Sequence, residues 1–488
     1  MKMIKLKSIV GLVLGIVSVS SMAFASGDMA KRTLKSNMTE VYKVLPPEVD
    51  NLSDMFTGGE FYGRLRFNSF LSDKGEDHYV IGAGGSLIYK SAYLNGFGFT
   101  AGLYTTQNPW HMDDADAVLY KAGKGVLSRY DVLTQGKYGI TSLAQAYLEY
   151  QNKAMSVKAG RLIYESFLTK SNDTKMIPNT FEGVTLSTNI IPNTKFKAAY
   201  LTRQKLRDHS EFHHLLAYGD DASDPYASYT QNDDPAMHKG LTFSKLQEAG
   251  IDDKLITFEA KNNAIDNLSL TFNYTAVPDL VSSAMIQADY RFDVGELKVS
   301  PALRYMKQFD DGAGEIGGAN LKTKTFGYSD PDSLDSALYG ARVDLAQDAW
   351  KLRFGYTKIA DEGDLIAPWR GFPTGGFSRA MAQYNWYANT KTYMVRADYD
   401  FGKAGLVPGL KAFVRYAIQD FDDNKPGVQA DSNVLTLDIL KEFDAFPGLY
   451  MKTRMAYVDG DNDTRAGDGM LKSDSSYNEF RFEINYLF

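Results

Sequence analysis

The sequence predicts an all-β fold, a transmembrane antiparallel β-barrel of about eighteen strands. Three observations carry that reading. Short segments in which apolar and polar residues alternate recur from Phe61 to the end of the chain, and the connections between them alternate between tight and long. The last segment, YNEFRFEINYLF, keeps one face apolar through Phe488. After the first 25 residues there is no apolar run long enough for a spanning helix, which leaves either a soluble exported protein or a barrel.

Composition points the same way. The 488 residues include 31 Tyr, 28 Phe and 42 Gly, which suit pleated strands, membrane interfaces and the bends of a closing sheet. The chain has no Cys, which excludes a disulfide framework and thiolate metal sites. A net charge of -7 argues against a nucleic-acid partner. Mean hydropathy of -0.31 leaves room for a wet interior.

In chain order, Lys2, Lys5 and Lys7 precede an apolar stretch from Ile9 to Val19, and Ala23-Phe24-Ala25 offers a cleavage site before Ser26. Residues 1–25 therefore read as a signal peptide. Residues 26–57, with KVLPPEVD at Lys43 to Asp50, are expected to form a periplasmic arm with at most a short helix, and no motif in them points to a function. The barrel is expected over 58–488.

Phe61, Gly63, Leu65 and Phe67 alternate with Tyr62, Arg64, Arg66 and Asn68, the period of a strand with one apolar face. The same pattern predicts strands at 61–70, 78–90, 95–106, 142–151, 155–163, 183–190, 195–205, 254–262 and 268–277. It continues at 282–293, 296–309, 337–347, 350–359, 391–402, 409–420, 432–443, 448–458 and 477–488. Tight links such as QNKA, NAIDN and DAFPG define one edge, and long ones at 107–141, 164–182, 206–253, 310–336, 360–390 and 459–476 mostly define the other, with brief links near Ser72 and Pro278 as exceptions. Short turns face the periplasm in outer-membrane barrels, so the location implied is the outer membrane of a Gram-negative bacterium, with its lipid as partner.

The connection GRLIYESFLTKSNDTKMIPNTFEG, from Gly160 to Gly183, is long for a structureless loop, and it carries apolar anchors, a fixed corner at Pro178 and a polar tip. Its NDTKMIPNTFEG resembles the inward-folded third loop of the OprD family of outer-membrane porins. The resemblance implies an eyelet formed by this loop and a later one, for which residues 360–390 stand at the right position. Constriction residues are then Tyr164, Phe167, Asn172, Asp173 and Lys175 from the first loop, with Arg370 and Arg379 from the second. The resemblance also implies a basic ladder facing an acidic patch, and a terminal aromatic residue, here Phe488, read by the barrel-assembly machinery.

Alternation alone turns Arg64, Arg66, Arg291, Arg304, Arg342, Arg353, Arg396, Arg415, Arg454 and Arg481 inward. Glu149, Asp289, Asp344, Asp398, Asp400 and Asp438 share that side, as do Glu479 and Glu483. Arginine facing lipid at mid-bilayer costs roughly 2–4 kcal/mol, which favours the lumen for each. Two accounts of them stay open: cross-strand ion pairs that stiffen the wall, or a track that hands an anion along.

The function expected is passive diffusion of small hydrophilic solutes, with carboxylates or zwitterions favoured and no cofactor or metal. Monomer and oligomer both fit. A structural or adhesive barrel with a closed lumen is the alternative from another class, its loops at 107–141 and 206–253 binding a partner, and GDDASDP at Gly219 to Pro225 a weak calcium site. An outer-membrane hydrolase built on His213, His214 and Glu211 is a third, without a G-x-S-x-G, H-E-x-x-H or P-loop to support it.

Overall fold

The computed structural model describes residues 32–74, 77–111, 124–216, 219–220, 232, 237–381 and 384–488. The expected signal peptide, the middle parts of the 107–141 and 206–253 connections, and GDDASDP beyond Asp220 lie outside the described residues.

Among the described residues eighteen antiparallel strands close into one barrel. They are β1 Glu60–Asp73, β2 Asp77–Lys90, β3 Phe97–His111, β4 Ile140–Gln151, β5 Met155–Leu162 and β6 Thr180–Thr188. Next come β7 Thr194–Lys205, β8 Leu255–Asn262, β9 Leu268–Val277, β10 Val281–Tyr290, β11 Leu297–Asp310 and β12 Ser336–Gln347. The last six are β13 Trp350–Ile359, β14 Lys391–Asp400, β15 Leu410–Asp420, β16 Ser432–Glu442, β17 Leu449–Gly460 and β18 Tyr477–Leu487. β18 pairs with β1 from Asn478↔Asp73 to Leu487↔Arg64, and Phe488 exchanges backbone hydrogen bonds with Gly63 (3.1 and 3.2 Å). Closure leaves no ladder edge open to hydrocarbon, where unpaired backbone groups are costly.

Side chains alternate as the sequence dictates: Leu65 is 62% exposed on the outer face, while its neighbour Arg64 is 1% exposed inside. Phe480, Phe482 and Ile484 share the outer face of β18, and Glu479, Arg481 and Glu483 the inner. The one break in an expected strand falls at Arg291, after which Phe292–Val294 resumes pairing with β11. Tight turns use left-handed residues, as at Asn95 and Gly96 (φ 52° and 79°) between β2 and β3. No helix among the described residues is long and apolar enough to cross a membrane.

The arm differs from expectation. Glu48–Val49 pairs with Tyr93–Leu94, and the helix Leu52–Thr57 accepts Ala92 N–H at Met55 O (3.0 Å), so this part stays at the short-turn rim. Residues before it form a hairpin, Arg32–Leu34 against Glu40–Tyr42, whose partners are inward residues of β1 and β2. It therefore sits inside the barrel rather than below it. The residues that hold it are polar and far away in sequence, which alternation does not register.

Candidate functional site

The connection between β5 and β6 crosses the lumen and docks on β1. Arg64, Arg66 and Asn68 stand at successive inward positions there, and all three receive the loop tip. Arg64 Nη2 and Arg66 Nη1 both donate to the Asp173 carboxylate, the second at 2.7 Å. Arg66 Nη2 also reaches Asp173 O (3.1 Å) and Glu483 (2.9 Å), and Asn68 Nδ2 donates to Lys175 O (3.0 Å). Every one of these side chains is buried, so the pairs work in low dielectric, and removing one partner strands a charge. Met176 and Ile177 seal the contact by packing in a cluster with Phe70 and Val126.

The stems behave differently. Tyr164 is buried in a hydrophobic cluster with its hydroxyl 3.3 Å from Thr257 on β8, so it pins the loop. Phe167 lies 5.0 Å from the Arg304 guanidinium and borders the lumen.

The 360–390 connection joins the first loop backbone to backbone. Lys170 N–H donates to Trp369 O (3.0 Å) and Gly371 N–H to Leu168 O (2.8 Å). Gly371 permits that approach, because a Cβ there would lie 2.2 Å from the Leu168 carbonyl carbon. The next turn of chain rests on the wall, where Gly355 of β13 leaves room for the Phe377 carbonyl. Its carbonyls then meet the basic strands: Pro373 O and Gly375 O accept from Arg304 (2.6 and 2.9 Å), and Gly376 O from Arg342 (3.1 Å) and Arg353 (3.0 Å). Arg379 O accepts from Arg415 (3.1 Å).

Two cavities flank the paired loops. One of about 390 Å³ is bordered by Lys175, Arg379, Arg415, Arg454 and Arg481. The other, about 760 Å³, lies against Lys197, Glu259, Gln287 and Arg304. Both are lined by Ser36, Asn37, Asn172, Arg370, Phe372 and Gly375, which mark the neck between them.

The inward arginines fall into two groups. In the first, a carboxylate is in contact. Besides Arg64 and Arg66, Arg342 pairs with Asp289 (2.6 Å), Arg353 with Asp344 (2.6 Å), and Arg396 with Asp398 (2.8 Å). Arg454 meets Asp438, and Arg481 meets Glu479. In the second, Arg304, Arg379 and Arg415 have no carboxylate within ion-pair distance among the described residues; Arg304 is held by Gln287 and carbonyls instead. The Arg379 guanidinium stacks 3.4 Å from the Phe372 ring centroid. Burial, opposed by Tyr384 and reinforced by Arg370, Arg415 and Arg207, pushes its pKa down to about 9, so it is charged at neutral pH in a setting that favours an arriving anion. Burial and then Arg481 push Lys175 well below its usual range, its amine lying 4.2 Å from the Phe70 ring.

Several expected residues lie away from the neck, and Tyr164, Asp173, Arg64 and Arg66 are buried and border neither cavity. Arg291 is exposed at the strand break, Asp400 accepts from Lys403 N–H in the following tight turn (3.0 Å), and Glu149 pairs with Lys90 and Lys158 (2.9 and 3.3 Å) near the short-turn edge. Sequence reading missed Ser36 and Asn37, which nothing in their composition marks. It also missed Lys124, which reaches Glu479 (2.6 Å) from the 107–141 connection.

The histidines do not assemble with Glu211. His209 Nδ1 and His213 Nε2 are 2.6 Å apart, both rings are buried, and burial pushes the His213 pKa down to about 3. Glu211 is exposed. Among the described residues no group of three or more His, Asp or Glu side chains is placed to hold a metal ion.

A closed barrel with an apolar outer face, a polar lumen and two loops meeting across it is the architecture of a bacterial outer-membrane porin. The sequence matches the outer membrane porin, OprD family, over residues 144–488, and the chain belongs to that family. Among solved structures it is similar to OccK8 (OprE) of Pseudomonas aeruginosa, with a TM-score of 0.69 and 15% identity over 89% of this chain and 99% of that one. OccAB2 of Acinetobacter baumannii gives 0.68 and 19% with the same coverage of 89% and 99%. OpdK of Pseudomonas aeruginosa, solved with vanillate, gives 0.67 and 16%, again over 89% and 99%. No curated protein matches the sequence. The protein is thus an outer-membrane channel for small hydrophilic solutes.

Proposed function

We propose that the channel favours small carboxylates over neutral and cationic solutes, and that its neck makes the choice. The observation that carries this is the split among the arginines: Arg379 and Arg415 border the smaller cavity without a carboxylate of their own. A guanidinium left unpaired in a narrow, poorly hydrated passage gains a charge-assisted, often bidentate bond when a carboxylate arrives. The ion-paired arginines beside them gain less, because a carboxylate already offsets the charge of each. Conduction also needs release, and the series from Arg379 to Arg415 and on to Arg454 offers successive weak sites. The vanillate in OpdK is a small aromatic carboxylate, which agrees with this class of solute.

In the same reading, the β18 strand ending at Phe488 is the segment read by the assembly machinery, and the exposed outer face accommodates lipid or a second copy. Liposome swelling tests the selectivity. Purified protein should admit pyruvate or benzoate several-fold faster than a neutral sugar of like size, and a salt gradient across a planar bilayer should give an anion-selective reversal potential. Equal swelling rates with no ion preference would discard the proposal.

A further inference from the structure

We propose that the N-terminal hairpin, residues 32–42, is a tethered plug that narrows the neck from within the lumen and sets the upper size of solute that passes. Its tip residues, Ser36 and Asn37, border both cavities together with the two loops. The eyelet therefore has three walls, and one of them comes from a segment that belongs to no barrel strand or outer loop.

The seat is built from specific contacts. Lys35 Nζ and Asn37 Nδ2 both bond Glu165 at the start of the first loop (2.7 and 2.8 Å), and Thr39 Oγ1 contacts Ser171 Oγ. Arg64 Nη1 donates to Met38 O (2.7 Å) while its other nitrogen grips Asp173, so one buried arginine ties hairpin and loop tip together. Ser86 of β2 donates to Glu40 (3.0 Å), and Tyr42 stacks on Tyr62 of β1 with centroids 4.8 Å apart. Burial opposes the Glu165 charge, yet Lys35, Lys170 and Asn37 hold its pKa at about 2, so it stays ionised as an anchor for Lys35.

The same geometry makes the plug removable. The hairpin has only three cross-strand pairs, Arg32↔Tyr42, Thr33↔Val41 and Leu34↔Glu40, and an isolated two-stranded hairpin of that size has little stability of its own. Its order comes from the lumen. It is tethered just below, where Pro47 O accepts Tyr93 N–H (2.9 Å) and Glu48–Val49 pairs with the rim. Losing the seat thus releases the hairpin without releasing the barrel.

Two variants of the full-length protein test this in planar bilayers, beside wild type. Deleting residues 32–42 should raise single-channel conductance about twofold or more and admit larger sugars in liposome swelling, because one wall of the neck is gone. The chain has no cysteine, so Asn37→Cys introduces a single thiol. Modifying it with a sulfonatoethyl methanethiosulfonate, with labelling confirmed by mass, should cut the current by about half or more by adding bulk at the neck. Unchanged conductance in the labelled Cys variant overturns the inference even if the deletion does not assemble, and an unchanged size limit in an assembled deletion does the same. A wild-type protein that conducts nothing would instead sink the channel reading, so the two failures are distinct.

Discussion

Arg66 and Arg415 stand on the inner face of one barrel, placed there by the same alternation, yet they do opposite work. Arg66 on β1 gives both terminal nitrogens to Asp173 and Glu483 and so fixes the loop tip. Arg415 on β15 gives one bond to the Arg379 carbonyl, borders the cavity and has no carboxylate within ion-pair distance among the described residues. Arginines that hold the constriction must be neutralised, or the loop would be a poor anchor. Those that the proposed selectivity assigns to the solute must not be, or an anion would find no vacancy. Position along a strand selects the lumen, and the partner delivered by a loop selects the role.

The contrast breaks most visibly at its structural end. Arg66→Ala leaves buried Asp173 with Arg64 as its one arginine partner and buried Glu483 without its arginine ion pair, and such a change costs about 3–5 kcal/mol. The expected result in detergent is a lower unfolding midpoint together with noisier, larger conductance as the loop loosens. An unchanged midpoint would mean that the tip is not held there. At the reading end, the double change Arg379→Ala and Arg415→Ala should lower carboxylate permeability by roughly fivefold to tenfold with little effect on the midpoint, since no ion pair is broken. Arg353→Ala is the control between them. Asp344 keeps Lys351 as a partner (2.9 Å), so the loss should be smaller, about twofold. If Arg353→Ala matched the double change, the division into holding and reading arginines would fall.

The smallest effect is one of pH. Burial raises the Glu40 carboxyl from 4.5 to about 7, reinforced by Asp173 and opposed by Arg64, Ser86 and Arg32. With the hairpin seated the carboxyl prefers its proton, whereas a released hairpin ionises above about 4.5. Seating is therefore strongest below that value, weakens as pH rises to about 7 and is flat beyond. Single-channel conductance should rise modestly across this window in wild type and stay level in Glu40→Gln. Equal slopes would remove Glu40 from the account.

Much of this molecule was legible in advance because a barrel wall is a local pattern repeated. The expected strand 268–277 is β9 residue for residue, and 350–359 is β13, since period-two alternation and tight turns act over a few residues. Asp173 was legible as a tip residue but not as a partner of Arg64 and Arg66, which lie 109 and 107 positions away. The arm was misplaced for the same reason. Nothing in RTLKSNMTEVY announces that Glu165, Arg64 and Ser86 will surround it.

By itself, the sequence determined how apolar and polar faces alternate along the strands and which edge carries the long loops, while Arg291 shows that alternation alone does not place every charge. Those properties depend on neighbours one or two residues apart and on the cost of placing charge in hydrocarbon. Only the tertiary structure decided which inward charges are spent on holding the loops, which remain for a solute, and that a hairpin before the first strand completes the neck. Such choices rest on contacts between residues distant along the chain, where a displacement of an ångström or two separates an ion pair from an open site.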